Sequence, residues 1–298
     1  MKYKIITIIL LAILLQTNAV YVSAQILNST DNKELGTKRN ATYNLEEIKV
    51  RWKKAALENC TGVPCVTTTP TTPSSGACPT STITDIDGNI YNTVSIGTQC
   101  WTKENLRTTK YTDGTAIPLN STGTAPLGTS GENWSSNATG ERTVYQHSSG
   151  NLTDYGYLYN WFAVKGISIS GSNKNICPTG WHVATDAEWT VLTTYLGGVS
   201  VAGGKMKAIS SLWAAGSNGG ATDESGFSAL PGGYRSDSNG LFNEGVQYGY
   251  FWSSTENPSQ STTGFYRYVW YNNTAVDRSS GNKKSGYAVR CIKTQFVP

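Results

Sequence analysis

Six cysteines lie along this chain, Cys60, Cys65, Cys78, Cys100, Cys177 and Cys291, and all fall downstream of a short apolar leader. Lys2 and Lys4 open that leader, Ile5–Leu15 is apolar, and Val22-Ser23-Ala24 supplies residues that a signal peptidase tolerates. This predicts residues 1–24 as a signal peptide cut before Gln25 and places the rest of the chain outside the inner membrane, secreted or on the cell surface. The apolar run is shorter than the roughly 20 residues a spanning helix needs, so no membrane span is expected. An even cysteine count in an oxidising compartment predicts a disulfide framework. Six cysteines allow many pairings; the expected set is Cys60–Cys65, Cys78–Cys100 and Cys177–Cys291, of which the first two are local. The third closes a long loop and would stabilise the fold by about 4–5 kcal/mol in the chain-entropy picture. With no Cys-x-x-Cys pair and no Cys/His cluster, neither a metal nor a cofactor is expected.

Loss of Lys2 and Lys4 with the leader lowers the formal net charge from +4 to +2. That is too close to neutral to argue for nucleic acid or an anionic membrane as partner. Charged residues make up only 15 % of the chain, so Gly, Ser, Thr and Asn carry most of its polarity, as in loop-rich secreted β domains.

Residues 25–41 are polar and unpatterned, and disorder is expected there. Residues 42–59 read as an amphipathic helix, with Leu45, Ile48, Trp52 and Ala55 recurring at three and four residues over 42–58. Alone it is too short to be stable, so it must dock on its own domain, on a sister chain or on a larger assembly. Residues 60–79 form a Thr/Pro/Ser linker, and residues 295–298 a short tail.

The main domain, residues 80–294, opens with alternating residues around the turn signals Asp87-Gly88 and Ile96-Gly97-Thr98. Strands are predicted at 82–86, 90–96 and 99–103. Residues 113–153 read as a long surface excursion, and Tyr155–Val164 as a helix carrying Leu158, Trp161 and Phe162. Thr185-Asp186-Ala187-Glu188 is a capping box before a second helix that buries Trp189, Leu192 and Leu196 and stops at Gly197-Gly198. Further strands are predicted at 250–254, 265–271, 274–278 and 286–293. The pattern alone predicts an α+β domain with a disulfide-stapled, loop-rich half.

Five ordered motifs resemble the Fibrobacter succinogenes major paralogous domain family of secreted bacterial proteins. They are Asp85-Ile-Asp87-Gly88-Asn89, Gln99-Cys100-Trp101-Thr102-Lys103-Glu104-Asn105-Leu106, Cys177-Pro178-Thr179-Gly180-Trp181-His182-Val183, Trp252-Ser253-Ser254-Thr255-Glu256 and Gly286-Tyr287-Ala288-Val289-Arg290-Cys291. The resemblance implies a C-type-lectin-like α+β scaffold, two helices with short antiparallel strands and long loops, whose terminal strands pair. His182–Trp189 is also similar to a motif of sulfatase-modifying-factor domains. Their redox-active cysteine pair is not matched, because Cys291 stands alone in the C-terminal part and is assigned to a structural bridge. Domains of this shape also serve as variable targets of diversity-generating retroelements, with changed Asn, Tyr and Ser positions in C-terminal strands and loops.

No catalytic residue is assigned. His147 and His182 have no nucleophile at a recognisable spacing, and the separation of the carboxylates Asp223, Glu224 and Glu256 is not readable from sequence. Asp85-x-Asp87-Gly88-Asn89 reads as an Asp-Gly turn rather than a calcium loop, since the full loop spacing and its closing Glu are missing. The stronger signal is for binding. Residues 234–284 mix Tyr and Trp with Asn, as paratopes do. Strand period two puts Tyr266, Tyr268 and Trp270 on one face and Phe265, Arg267, Val269 and Tyr271 on the other. The predicted ligand-binding residues are Tyr234, Arg235, Tyr266, Tyr268, Trp270, Asn272 and Arg278. The expected protein is a non-catalytic binding domain whose partner is a glycan or a protein surface, and not nucleic acid. The alternative is a structural subunit of a surface appendage or matrix that self-associates through residues 42–58.

Overall fold

The computed structural model describes residues 78–294, except 121–133, 135–137, 169–170 and 215–217, together with two short strands near the start of the chain. The expectations for residues 25–41, for the helix 42–58, for the Cys60–Cys65 bridge, for most of the 60–79 linker and for 295–298 lie outside the described residues. The chain divides into two compact units, Met1–Thr71 and Thr72–Pro298. In the first, β1 (Leu10–Ala12) pairs antiparallel with β2 (Val22–Ala24), Leu10 opposite Ala24.

The second unit is mostly β. Its first sheet has the order β3-β4-β5-β14-β8, from β3 (Thr82–Thr84), β4 (Ile90–Ile96), β5 (Gln99–Thr102), β8 (Trp181–Val183) and β14 (Cys291–Lys293). Asp85 explains the first turn. Its carboxylate accepts from the Asp87 and Asn89 backbone amides at 3.0 and 2.9 Å, and the Tyr91 hydroxyl donates to it at 2.6 Å. Gly88 supplies the left-handed residue, at φ +86°. Asp87 in turn accepts from the Thr109 amide and hydroxyl and from the Thr108 hydroxyl, so the motif is a hydrogen-bonded turn pinned to the 108–110 segment. The last strand enters between two earlier ones, with Ile292 opposite Trp101 on β5 and opposite His182 on β8.

The second sheet has the order β10-β9-β11-β12-β13, from β9 (Gly232–Arg235), β10 (Phe242–Gly245), β11 (Tyr248–Glu256), β12 (Thr263–Trp270) and β13 (Asp277–Asn282). All its pairings are antiparallel except β9 with β11. A small sheet pairs β6 (Arg142–Val144) with β7 (Tyr157–Tyr159). Four short helices complete the described unit: α1 (Ser149–Tyr155), α2 (Trp161–Val164), α3 (Asp186–Tyr195) and α4 (Val199–Met206).

This corrects the expected fold class. Twelve strands against helices of at most ten residues make a mostly β domain, not a C-type-lectin-like α+β fold with two helices. The expected helix 155–164 is three pieces. Gly156, at φ +69°, ends α1; a Cβ there would crowd the Leu106 carbonyl. Tyr157 and Tyr159 then take tertiary partners, donating to the Leu106 and Tyr287 carbonyls. Asn160 restarts the helix by accepting from the Ala163 amide at 3.0 Å. Helix α4 lies where no element was expected, and its Gly203 and Gly204 are residues that disfavour a helix interior. Both are needed where α4 lies against backbone: a Cβ on either would collide with the carbonyl of Ala275 or Gly220. The capping box stands as expected, with Thr185 Oγ1 accepting from the Glu188 amide and Glu188 accepting from the Thr185 amide.

The second sheet separates two hydrophobic clusters. On one side Phe251 and Val269 join Trp101, Trp189, Leu192, Leu196 and Phe227. The Trp101 and Trp189 ring centroids are 4.9 Å apart. On the other side Tyr250 and Trp252 join Tyr91, Tyr159, Trp161, Tyr287 and the Cys177–Cys291 bridge. Cys78–Cys100 is also formed. Arg290, 1 % exposed, runs between the sheets and donates to the carbonyls of Thr102, Phe227 and Ser228 and to Asn105 Oδ1. Lys207 is fully buried and donates to the carbonyls of Gly219, Trp270 and Tyr271, which ties α4 to the end of β12. Burial lowers its ammonium to about 8.

Candidate binding surface

The residues first considered for chemistry are engaged locally. His182 Nε2 lies 2.9 Å from Glu188 Oε1, and Nδ1 lies 3.0 Å from Thr294 Oγ1. Burial raises the Glu188 carboxyl, but hydrogen bonds from His182 and Thr185 outweigh it and leave the group below its ordinary value. His147 packs edge-on to Phe242, and burial, with Arg235 adding to it, lowers its pKa. Asp223 accepts from the Ser228 amide and hydroxyl, Glu224 pairs with Lys205, and Glu256 pairs with Lys283. A cleft of about 460 Å³ runs between β3 and the Pro178–Trp181 segment, lined mainly by Thr80, Thr82, Thr84 and Thr112. Its one acid, Asp85, is the carboxylate already committed to the first turn.

The aromatic face of the second sheet is different. Strand register sets Tyr248 opposite Trp270, Tyr250 opposite Tyr268 and Trp252 opposite Tyr266. Side chains two apart share a face, so these rings form two parallel columns. Tyr234, on the neighbouring β9, lies edge-on to Tyr250 at 5.3 Å. Tyr248 and Trp270 are near-parallel at 6.3 Å and 22°, Tyr250 and Tyr268 at 5.6 Å and 30°. Tyr250, Trp252 and Tyr287 are buried and make the floor, whereas Tyr234, Tyr248, Tyr266, Tyr268 and Trp270 are half-buried. Gly281 on β13 leaves room for this arrangement; a Cβ there would reach within 2.8 Å of Tyr287 Oη and 3.1 Å of Tyr266 Cε1.

Carboxylates border the platform. Asp277 on β13 is the register partner of Tyr268. Glu244 on β10 accepts from the Tyr250 hydroxyl. Asp237 accepts from the Ser285 hydroxyl at 3.1 Å. Burial raises the Tyr268 phenol to about 12, with Asp277 adding to it. Burial likewise raises Tyr234, with Glu244 and Asp237 contributing, so these phenols stay neutral at physiological pH.

Of the seven predicted binding residues, the structure brings Tyr234, Tyr266, Tyr268 and Trp270 together on this face. Asn272 is exposed in the turn after β12. Arg235 is 0 % exposed; it lies 4.6 Å over the Trp134 ring and donates to the Gly240 carbonyl, to Asn120 and to Thr143. It follows Tyr234 directly, so the strand turns it inward. Arg278 is the register partner of Arg267 and therefore sits on the opposite face from the aromatic columns. There both arginines hold Asp186, at 2.5 Å from Arg267 and 3.0 Å from Arg278. Missing from the predicted set are Tyr248 and Tyr250, whose period-two spacing with Trp252 repeats that of 266, 268 and 270. Glu244 and Asp277 were also missed; the Tyr250 hydroxyl places the first beside the rings and strand register the second.

The Fibrobacter succinogenes major domain family matches residues 94–293, two thirds of the chain. The chain belongs to this family. The matched span of the Fibrobacter succinogenes major domain takes in both five-stranded sheets from within β4 to β14, and so the whole aromatic platform. No curated protein and no solved structure matches the chain. Among the described residues no helix is long and apolar enough to cross a membrane, and no group of three or more His, Cys, Asp or Glu residues is placed to hold a metal ion.

Proposed function

We propose that the protein is an exported, non-catalytic binding module that recognises a glycan or a protein surface through the aromatic platform of its second sheet. The observation that carries this reading is the partial exposure of five rings, Tyr234, Tyr248, Tyr266, Tyr268 and Trp270, on a single sheet face. Half-buried Tyr and Trp offer contact area at little cost in side-chain entropy, because the packing beneath them already restricts their rotamers. Disulfides at Cys78–Cys100 and Cys177–Cys291 support export, since such bonds persist in oxidising compartments. Adhesion at the cell surface fits a rigid scaffold that displays such a face.

Glycan arrays and surface pull-downs with residues 25–298 test the reading. The expected result is a ligand whose binding falls at least about tenfold in Tyr268→Ala and Trp270→Ala, each ring contributing on the order of 1–2 kcal/mol. A ligand bound equally well by both variants removes the platform from the function.

A further inference from the structure

The charge at the rim of the platform narrows its ligand. The Tyr250 hydroxyl donates to Glu244, and Asp277 stands beside Tyr268 as its register partner. Toward solvent the face presents carboxylate lone pairs and ring faces beside the phenol hydroxyls of Tyr234, Tyr248 and Tyr266. A carboxylate has about four acceptor sites and neither of these is filled by a cation, since no Lys or Arg pairs with Glu244, Asp237 or Asp277 among the described residues. The contrast with the opposite sheet face is direct, because there Asp186 holds two arginines. The aromatic faces add the same preference, since their negative quadrupole attracts cations and repels anions.

The placement of the two carboxylates follows from the sheet order. β11 and β12 in the middle carry the ring columns, while β10 and β13, at the two edges, carry Glu244 and Asp277. Glu244 holds a left-handed backbone conformation, φ +56°, that non-glycine residues seldom adopt. The columns from Tyr266 to Trp270 span about 13 Å at the usual strand rise, the length of a short extended peptide. Ammonium and guanidinium groups are donors only, and so match carboxylate lone pairs.

We propose that the platform receives the lysine or arginine side chains of a basic segment of a partner protein, their cations seated on the tyrosine faces between Glu244 and Asp277. This rests on the platform being the binding surface and names its partner's chemistry. Charge complementarity selects the occupant: a face of rings and uncommitted carboxylates disfavours anionic lipids and nucleic acids.

The test uses residues 25–298 and three hexapeptides of one length, rich in Lys, in Arg or in Gln, titrated at low and at physiological salt with tryptophan fluorescence as readout. The Lys and Arg peptides are expected to bind at least about tenfold more tightly than the Gln peptide, and their affinity to fall with salt. In the E244Q/D277N variant, with its circular dichroism spectrum unchanged, the preference over the Gln peptide is expected to drop about tenfold. If that variant does not fold, the salt dependence of the unaltered protein decides: equal salt dependence for the Lys and Gln peptides overturns the proposal. So does basic-peptide binding that E244Q/D277N leaves unchanged. A glycan or a neutral peptide bound in a Tyr268-dependent way, with no preference for basic peptides, overturns the cationic partner and keeps the platform. Loss of neither kind of binding in Tyr268→Ala removes both.

Discussion

The two faces of the second sheet are made by the same strands and treat their polar groups in opposite ways. On one, Phe251 and Val269 are buried against Trp189, and Arg267, 3 % exposed, is held with Arg278 by the single carboxylate of Asp186. On the other, tyrosines replace the aliphatic and Phe side chains, and among the described residues the carboxylates Glu244 and Asp277 have no Lys or Arg partner. Charges that secure a fold are paired and desolvated together; charges that face a ligand are left with open valence. The difference separates structural from recognition residues even where both are aromatic-rich and partly buried.

Predictions that would break or sharpen this contrast run from large to small. Removing the Cys177–Cys291 bridge, which joins residues 114 apart, should lower stability by about 4 kcal/mol in denaturant titrations, because it releases loop entropy to the unfolded chain. Asp186→Ala leaves the buried Arg267 charge without its counter-ion and should cost about 3 kcal/mol. The same residue sets an acid dependence. Burial raises the Asp186 carboxyl, but Arg278 and Arg267 outweigh it and hold it below its ordinary 3.8. Its contribution is therefore complete above pH 3.8 and lost as pH falls through the lower folded value, and Asp186→Ala should flatten that part of the stability profile. Tyr268→Ala, on the open face, should cost only about 1–2 kcal/mol of stability while lowering ligand affinity at least about tenfold. If it destabilises the protein as much as Asp186→Ala does, the two faces are not distinct. The smallest effect concerns Val246, 47 % exposed and β-branched at φ +60°. Val246→Asn, better suited to that backbone, should raise stability by about 0.5–1 kcal/mol in thermal unfolding.

What could be read from the sequence was local or periodic. The Thr185–Glu188 capping box lies within one turn, and the strands over 90–96 and 99–102 follow from alternation around a glycine turn. Tyr266, Tyr268 and Trp270 share a face by strand period alone. What escaped depends on distant contacts. Gly203 and Gly204 argue against a helix until the 274–275 backbone is seen packed on them. Tyr157–Tyr159 has helix-like neighbours, but its amides are claimed by Leu106 and Tyr287. The second of these readings turned a strand into helix and so weighted the expectation toward α+β. Arg235 could have been set apart from Tyr234 by the same alternation that grouped the other rings. Arg278 could not, because its side of the sheet depends on the register with Arg267.

β14 occupies an interior position in the first sheet although it comes last in the chain. Until Cys291–Lys293 has left the ribosome, β5 and β8 have no strand to join them, and Arg290 is not yet there to bridge Thr102 to Phe227. The domain thus closes in a single late event, so an interrupted translation product would be left open and recognisable to proteases rather than partly functional.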